Sequence, residues 1–457
     1  MAKTALVAGV SGIVGSATAQ LLLEQGWGVH GLARRPTGQA GVRPVVADLQ
    51  DTEATATALR DVQPDAVFIT TWLRQDSEAE NIRVNSAMVR NLLDGLPKSD
   101  RPRHVALVTG LKHYLGPFEA YGKGALPQTP FREEQGRLDV ENFYYAQEDE
   151  VFAASARDGF TWSIHRPHTV IGKAVGNAMN MGTTLAVYAT ICRETGRPFT
   201  FPGSAAQWNG LTDMTDARQL ARQLLWAATT PAAANEDFNI VNGDVFRWSW
   251  MWGRIASWFG IEPVPFDGTV RPLEQQMAGD DAIWRQIAKR EGLVEPDVQR
   301  LASPWHTDAD LGRPIEVVTD MSKSRRLGFS AYQPTDDAFI ELFERLRADR
   351  LIPQPGGIPP HEAYRARARG EYRSGQHRLT SEGNRLICSP YVPLSRPLPS
   401  SDLDFTTIRA TARAVLHRPE ADKRALLAGF PLADTAALRR PARLDPANRP
   451  TGRAPAE

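Results

Sequence analysis

Seven residues near the N-terminus, Gly9-Val10-Ser11-Gly12-Ile13-Val14-Gly15, constrain the fold more than any other stretch of the chain. They follow an apolar run at 4–8 and lead into a helical pattern at 13–25, so three evenly spaced glycines stand at a strand-to-helix turn. Glycine there permits a tight turn and lets backbone N–H groups come up to a phosphate at the positive end of the helix. The pattern predicts a dinucleotide-binding turn built from Gly9, Ser11, Gly12, Ile13, Val14 and Gly15. The same glycines interrupt what would otherwise pass for the apolar stretch of a secretory leader.

Beyond the turn, short apolar runs alternate with amphipathic segments. Strands are expected at 4–8, 28–33, 44–47, 66–70, 104–108, 161–165 and 237–241, and helices at 13–25, 53–59, 78–93 and 142–157. This is the pattern of an α/β fold, a Rossmann-type doubly wound parallel sheet with a smaller, mostly helical substrate-binding domain. Residues 1–172 make the dinucleotide domain, with a returning segment near 205–245, and 173–353 make the substrate-binding and flap region. Ligands in such sheets sit beyond the carboxyl ends of the strands, so both parts should meet at one crevice. Residues 354–457 are a basic Pro/Arg-rich extension with 16 Arg and 1 Lys against 10 acids. Its prolines and weak apolar periodicity predict a largely disordered tail.

Composition narrows the partners. Lys plus Arg and Asp plus Glu each total 53, which gives no reason to expect nucleic acid or an anionic membrane surface. No run of about 20 apolar residues occurs, so no membrane span is expected. Only Cys192 and Cys388 are present; this excludes a disulfide framework or a four-cysteine zinc site and fits a reducing cytoplasm. No metal is expected, and a homodimer is left open.

The end of the second strand reads Gly31-Leu32-Ala33-Arg34-Arg35-Pro36. An acid at this place binds ribose hydroxyls, whereas arginine accommodates a 2′-phosphate. Arg34 and Arg35, with no acid beside them, therefore predict NADPH rather than NADH. Asp48, followed by Leu49, is placed to reach adenine. Thr109 and Val170, together with Tyr145, complete the expected cofactor contacts.

Enzymes of this fold commonly carry a tyrosine and, four residues later, a lysine on one helix face. In Asn142-Phe143-Tyr144-Tyr145-Ala146-Gln147-Glu148-Asp149 those positions hold Glu148 and Asp149, which weakens a plain epimerase or dehydrogenase reading. A lysine stands upstream instead, in Thr109-Gly110-Leu111-Lys112-His113-Tyr114-Leu115-Gly116-Pro117-Phe118. These two segments, with Trp162-Ser163-Ile164-His165-Arg166-Pro167, Phe201-Pro202-Gly203-Ser204 and Met321-Ser322-Lys323-Ser324, resemble the progesterone 5β-reductase and iridoid synthase family over about residues 4–353. That family is an atypical branch of the extended short-chain dehydrogenases.

The resemblance implies NADPH-dependent 1,4-reduction of an activated alkene, with Lys112 and the second tyrosine of the run, Tyr145, as the catalytic pair. Tyr144 is read as buried support, and His113 and His165 as structural or cofactor-adjacent. Hydride addition to the β-carbon of an enone pushes negative charge onto the carbonyl oxygen, where a phenol O–H stabilises it. The resemblance also implies that Trp72 and Phe118 face the substrate and that Trp305, in a flap, covers it, so a small apolar carbonyl compound is the expected substrate. The flap sequence Ser303-Pro304-Trp305-His306 departs from the plant members. A sugar-nucleotide epimerase or dehydratase, and a non-catalytic NADPH sensor signalling through its basic tail, are the competing readings.

Overall fold

A computed structural model describes residues 2–36, 38–97, 102–117, 128–177 and 179–354. In chain order the first half contains strands Thr4–Ala8 (β1), Gly28–Ala33 (β2), Val42–Val46 (β3), Ala66–Ile69 (β4), His104–Val108 (β5) and Thr161–Pro167 (β6). Between them lie helices Ile13–Glu24 (α1), Thr52–Leu59 (α2), Glu78–Asp94 (α3), Lys112–Leu115 (α4) and Phe143–Asp158 (α5). The second half adds the short strands Val170–Ile171 (β7), Phe199–Thr200 (β8) and Thr215–Asp216 (β9), then Glu236–Ile240 (β10) and Pro263–Val264 (β11). Its helices are Met181–Thr195 (α6), Ala205–Asn209 (α7), Ala217–Thr229 (α8), Trp248–Phe259 (α9), Leu273–Gln276 (α10), Asp280–Glu291 (α11), Pro304–Leu311 (α12), Ser322–Arg326 (α13) and Thr335–Ala348 (α14).

Seven strands form one parallel sheet in the order β10-β6-β5-β4-β1-β2-β3. The inner strands β1 and β4 are apolar and buried on both faces, as a sheet covered by helices requires. One core, under α2, α3 and α5, includes Leu6, Val67, Val105 and Ile164. The other, under α1 and α8, includes Val7, Phe68, Leu220 and Leu224. Strand β3 starts two residues before the expected 44–47. Pro44 lies inside it, which is tolerated because β3 is an edge strand and one missing N–H leaves no inner ladder unpaired.

The strand order turns at β1, which has β2 on one side and β4 on the other. A crevice opens at that switch point, beyond the carboxyl ends of the strands. A third core, rich in aromatics, closes one side of it. Trp252 stacks on Phe199 with ring centroids 4.0 Å apart, and α6, α9 and α14 pack around them. The chain enters this layer after β7 and returns to the sheet through α8 and β10, so the layer and the sheet are threaded together.

Candidate active site

The crevice holds a cavity of about 520 Å³. Its floor is the glycine turn. Gly9 leaves β1 with φ +86°, a conformation that side chains rarely adopt, and a Cβ there would lie 2.7 Å from Thr71 Cβ. A Cβ on Gly15 would lie 2.2 Å from the Gly9 carbonyl oxygen, so the first turn of α1 sits directly against the loop. Helix α1 has no side chain capping its start and no acid in its first turn. Its leading N–H groups and positive dipole end face the cavity beside Ser11, Gly12, Ile13 and Val14, the donor set that a pyrophosphate fits.

Other expected cofactor contacts separate into those at the cavity and those away from it. Arg34, Asp48, Leu49, Thr109 and Val170 line it. Asp48 also accepts the Gln50 N–H at 3.0 Å, which shapes the loop after β3. Arg35 is exposed and does not line the cavity, and Gly15 acts through packing.

The tyrosine pair is placed differently from expectation. Tyr145 is buried, yet it does not line the cavity. Its hydroxyl donates to the His113 carbonyl at 2.6 Å and accepts the Leu138 N–H at 3.0 Å. Burial raises its pKa, with the Leu138 bond acting the other way. Tyr144 is the one that lines the cavity, beside Lys112, Thr109 and Gly110. The reason is helical geometry. Successive residues on a helix point about 100° apart, so only one of two adjacent tyrosines can face the crevice. Gly110 permits the approach, since a Cβ there would lie 3.3 Å from the Tyr144 hydroxyl and from the Pro167 carbonyl oxygen.

Lys112 is the first residue of α4, just past the end of β5, and it is buried. Its Nζ lies 4.7 Å from the Phe143 ring centroid, 5.3 Å from Trp72 and 5.9 Å from Tyr144, an aromatic surround that suits an ammonium. Asn142 joins the two halves of this corner. Its side-chain oxygen accepts the Tyr144 N–H at 3.0 Å and so caps α5, while its amide nitrogen donates to the Lys112 carbonyl at 2.8 Å. Four residues beyond Tyr144, Glu148 is buried and paired with Arg137 at 2.9 Å and Arg166 at 3.6 Å. Asp149 is on the outer face, paired with Arg137 at 2.8 Å.

Further lining comes from the loop after β4 and from α12. Trp72 stacks on Phe143 at 5.0 Å, and Trp305 carries the Arg74 guanidinium over its ring at 4.2 Å. Phe118 lies outside the described residues. A polar group lies at the back of the cavity. His168 contacts Asp213 through Nδ1 at 2.8 Å and the Arg313 guanidinium through Nε2 at 2.6 Å; since a guanidinium only donates, Nε2 accepts and Nδ1–H donates. Arg313 also pairs with Asp310, which accepts the Thr169 hydroxyl at 2.7 Å. Burial lowers the His306 pKa; Asp310 opposes this, and Arg313, Arg74 and Lys112 add to it.

Tyr144, Asn142, Arg74, His306 and Arg313 are residues to which sequence reasoning gave no functional part. Tyr144 carried no separate signal in the sequence, because the burial that sets Glu148 apart from Asp149 is seen only in the structure. His165 and His113 are away from the cavity lining. His165 is wholly buried between Gln223 and Ser163, and burial pushes its pKa down to about 4. His113 bonds the Gln135 carbonyl at 3.2 Å. Among the described residues no group of three or more potential ligands could hold a metal ion, and no helix is long and apolar enough to cross a membrane.

Residues 5–241 match the NAD dependent epimerase/dehydratase family. The chain is 38% identical over 367 residues to a 3-oxo-Delta(4,5)-steroid 5-beta-reductase of Arabidopsis thaliana, covering 77% of this chain and 93% of that protein. It is 36% identical over 367 residues to an (S)-8-oxocitronellyl enol synthase of Camptotheca acuminata, with the same coverage of both chains. An epimerase structure from Methanothermobacter thermautotrophicus superposes with a TM-score of 0.57 at 16% identity, covering 76% of this chain and 93% of that one, which is a likeness of fold. Glycine turn, sheet order and sequence identity agree: the chain belongs to the progesterone 5β-reductase and iridoid synthase family, within the NAD dependent epimerase/dehydratase family.

Proposed function

We propose that the chain is an NADPH-dependent reductase that adds hydrogen across the activated C=C bond of an enone or enal. The observation that carries this reading is the convergence of Tyr144 and Lys112 on the cavity that begins at the glycine turn. The names of the 5-beta-reductase and enol synthase relatives point to the same substrates, compounds in which a carbonyl activates a carbon–carbon double bond.

When bound, the reduced dinucleotide supplies the hydride, which goes to the alkene β-carbon. The chain's own part is to place and stabilise. The Tyr144 phenol O–H donates to the substrate carbonyl, where negative charge gathers as the β-carbon accepts the hydride. The Lys112 ammonium, held among aromatic rings, favours that charge through its field in a poorly solvated corner. Trp72 and Trp305 hold the hydrocarbon part and exclude water. The α-carbon takes its proton from solvent, so one hydride and one proton add across the bond. Arg34, at the end of β2 and on the cavity, is the donor for a 2′-phosphate, and this replaces the pair Arg34 and Arg35 by a single residue. Glu148 supports the reading against an epimerase, because the place of the usual lysine is filled by a buried carboxylate committed to Arg137 and Arg166.

Purified protein should oxidise NADPH, and NADH far more slowly, when given cyclohex-2-en-1-one, with cyclohexanone as product. Tight NADPH binding with no turnover across a panel of enones and enals would contradict the proposal and favour the sensor reading.

A further inference from the structure

Among the described residues, cations outnumber carboxylates at the substrate end of the cavity. Away from the Arg34 end, Arg74, Lys112 and Arg313 line it, and Asp310 is the carboxylate among the described lining residues there. Asp310 is engaged by Arg313 and Thr169. Asp213 stands behind His168 and also accepts the Thr319 N–H at 2.6 Å; counting it still leaves a positive excess on the described side chains. The lowered pKa of His306, caused first by burial, draws contributions from Arg313, Arg74 and Lys112, so all three charges are felt at one point of the wall.

Geometry singles out Arg74. Its guanidinium lies 4.2 Å from the Trp305 ring centroid, two residues along the chain from Trp72, whose ring is 5.3 Å from Lys112 Nζ. A guanidinium laid on an indole is held by its face and presents its N–H groups in its own plane, the arrangement that receives a carboxylate in a two-point bond. Apolar walls thus end at a cation that an aromatic ring orients.

We propose that the substrate is an enone or enal that also bears a carboxylate, seated on Arg74 where it stacks on Trp305, while the carbonyl meets Tyr144. This inference rests on the enone-reductase reading and names the substrate class for it.

Two acids of different reach, (E)-4-oxopent-2-enoate and (E)-7-oxooct-5-enoate, are compared with their primary amides, which match them in shape but carry no charge. At low ionic strength at least one acid should exceed its amide tenfold or more in kcat/KM. Added salt should shrink the ratio, and Arg74→Gln should bring it close to one. Amides turned over as well as acids at both lengths would overturn the carboxylate seat and leave the reductase reading standing, whereas a preference unchanged by Arg74→Gln would overturn the assignment to Arg74. Calorimetric titration of the saturated 4-oxopentanoate and 7-oxooctanoate, each beside its own amide, into NADP+-loaded protein tests the seat without chemistry. There at least one acid should bind at least tenfold more tightly than its amide, and equal affinities at both lengths would contradict the seat even if no compound is reduced.

Discussion

A phenol stabilises a developing enolate only where its O–H can reach the oxygen on which charge gathers. The Tyr145 hydroxyl lies between the His113 carbonyl and the Leu138 N–H and ties the segment before α5 to α4. Tyr144 faces the cavity next to Lys112. Replacing Tyr144 by Phe should therefore lower kcat by about 10²–10³-fold, the usual loss when one oxyanion donor is removed. Tyr145→Phe should keep kcat within a few-fold and cost about 1–3 kcal/mol of stability, because it takes the donor from the buried His113 carbonyl. Steady-state kinetics and urea unfolding on the two variants check this, and the reverse pattern would return the role to Tyr145. The resemblance assigned the catalytic part to the second tyrosine, Tyr145. The residues alone do not choose between the pair, since the choice depends on where α5 starts, and that is set by the Asn142 cap.

At the scale of elements, the joint between α4 and α5 organises the site. Asn142 uses its oxygen on the Tyr144 N–H and its nitrogen on the Lys112 carbonyl, so one amide holds the backbone of both residues proposed to react. Asn142→Asp keeps an oxygen to cap the helix and sets a carboxylate oxygen against the Lys112 carbonyl. The expected outcome is a helix that still forms but a displaced Lys112, with kcat reduced by at least tenfold and NADPH affinity nearly unchanged; activity equal to wild type would show that the joint does not position Lys112. Most sheet strands were legible in the sequence because buried parallel strands are short continuous apolar runs, as in Ala5 to Ala8 and Ala66 to Ile69. The glycine turn was legible for a similar reason, as its spacing answers a local steric demand. The wall formed by Arg74, Trp305 and Arg313 was only partly so. Trp305 and Lys112 are far apart in sequence, and no periodicity records that α12 folds back over the loop after β4.

For the molecule as a whole, three buried histidines set a pH dependence. Burial, helped by the charge of His165, pushes His104 down to about 3, and burial pushes His165 and His113 down to about 4. The unfolded chain protonates them near the ordinary value of about 6.5, so it binds more protons than the folded chain between about 4 and 6.5. Their neutral forms favour folding fully above that window, and the contribution is lost as pH falls through it. Half-buried Glu133 and buried Glu148, with raised pKa values, act in the opposite sense, so the test is a difference. Unfolding free energies of wild type and His104→Gln, measured by urea from pH 7.5 to 4.5, should converge as pH falls, and parallel curves would contradict this. The doubly wound sheet and the helical layer beside it were foreseen from the alternation of patterns, whereas the threading of α8 and β10 back to the sheet depended on packing against α1 and β6.

Hydride addition at the β-carbon of an enone is read from the position of deuterium in the product when the protein reduces cyclohex-2-en-1-one with NADPH carrying deuterium at the transferred position. The expected product is cyclohexanone labelled at C3, the former β-carbon. Label on the carbon that bears oxygen, in cyclohex-2-en-1-ol, would contradict it.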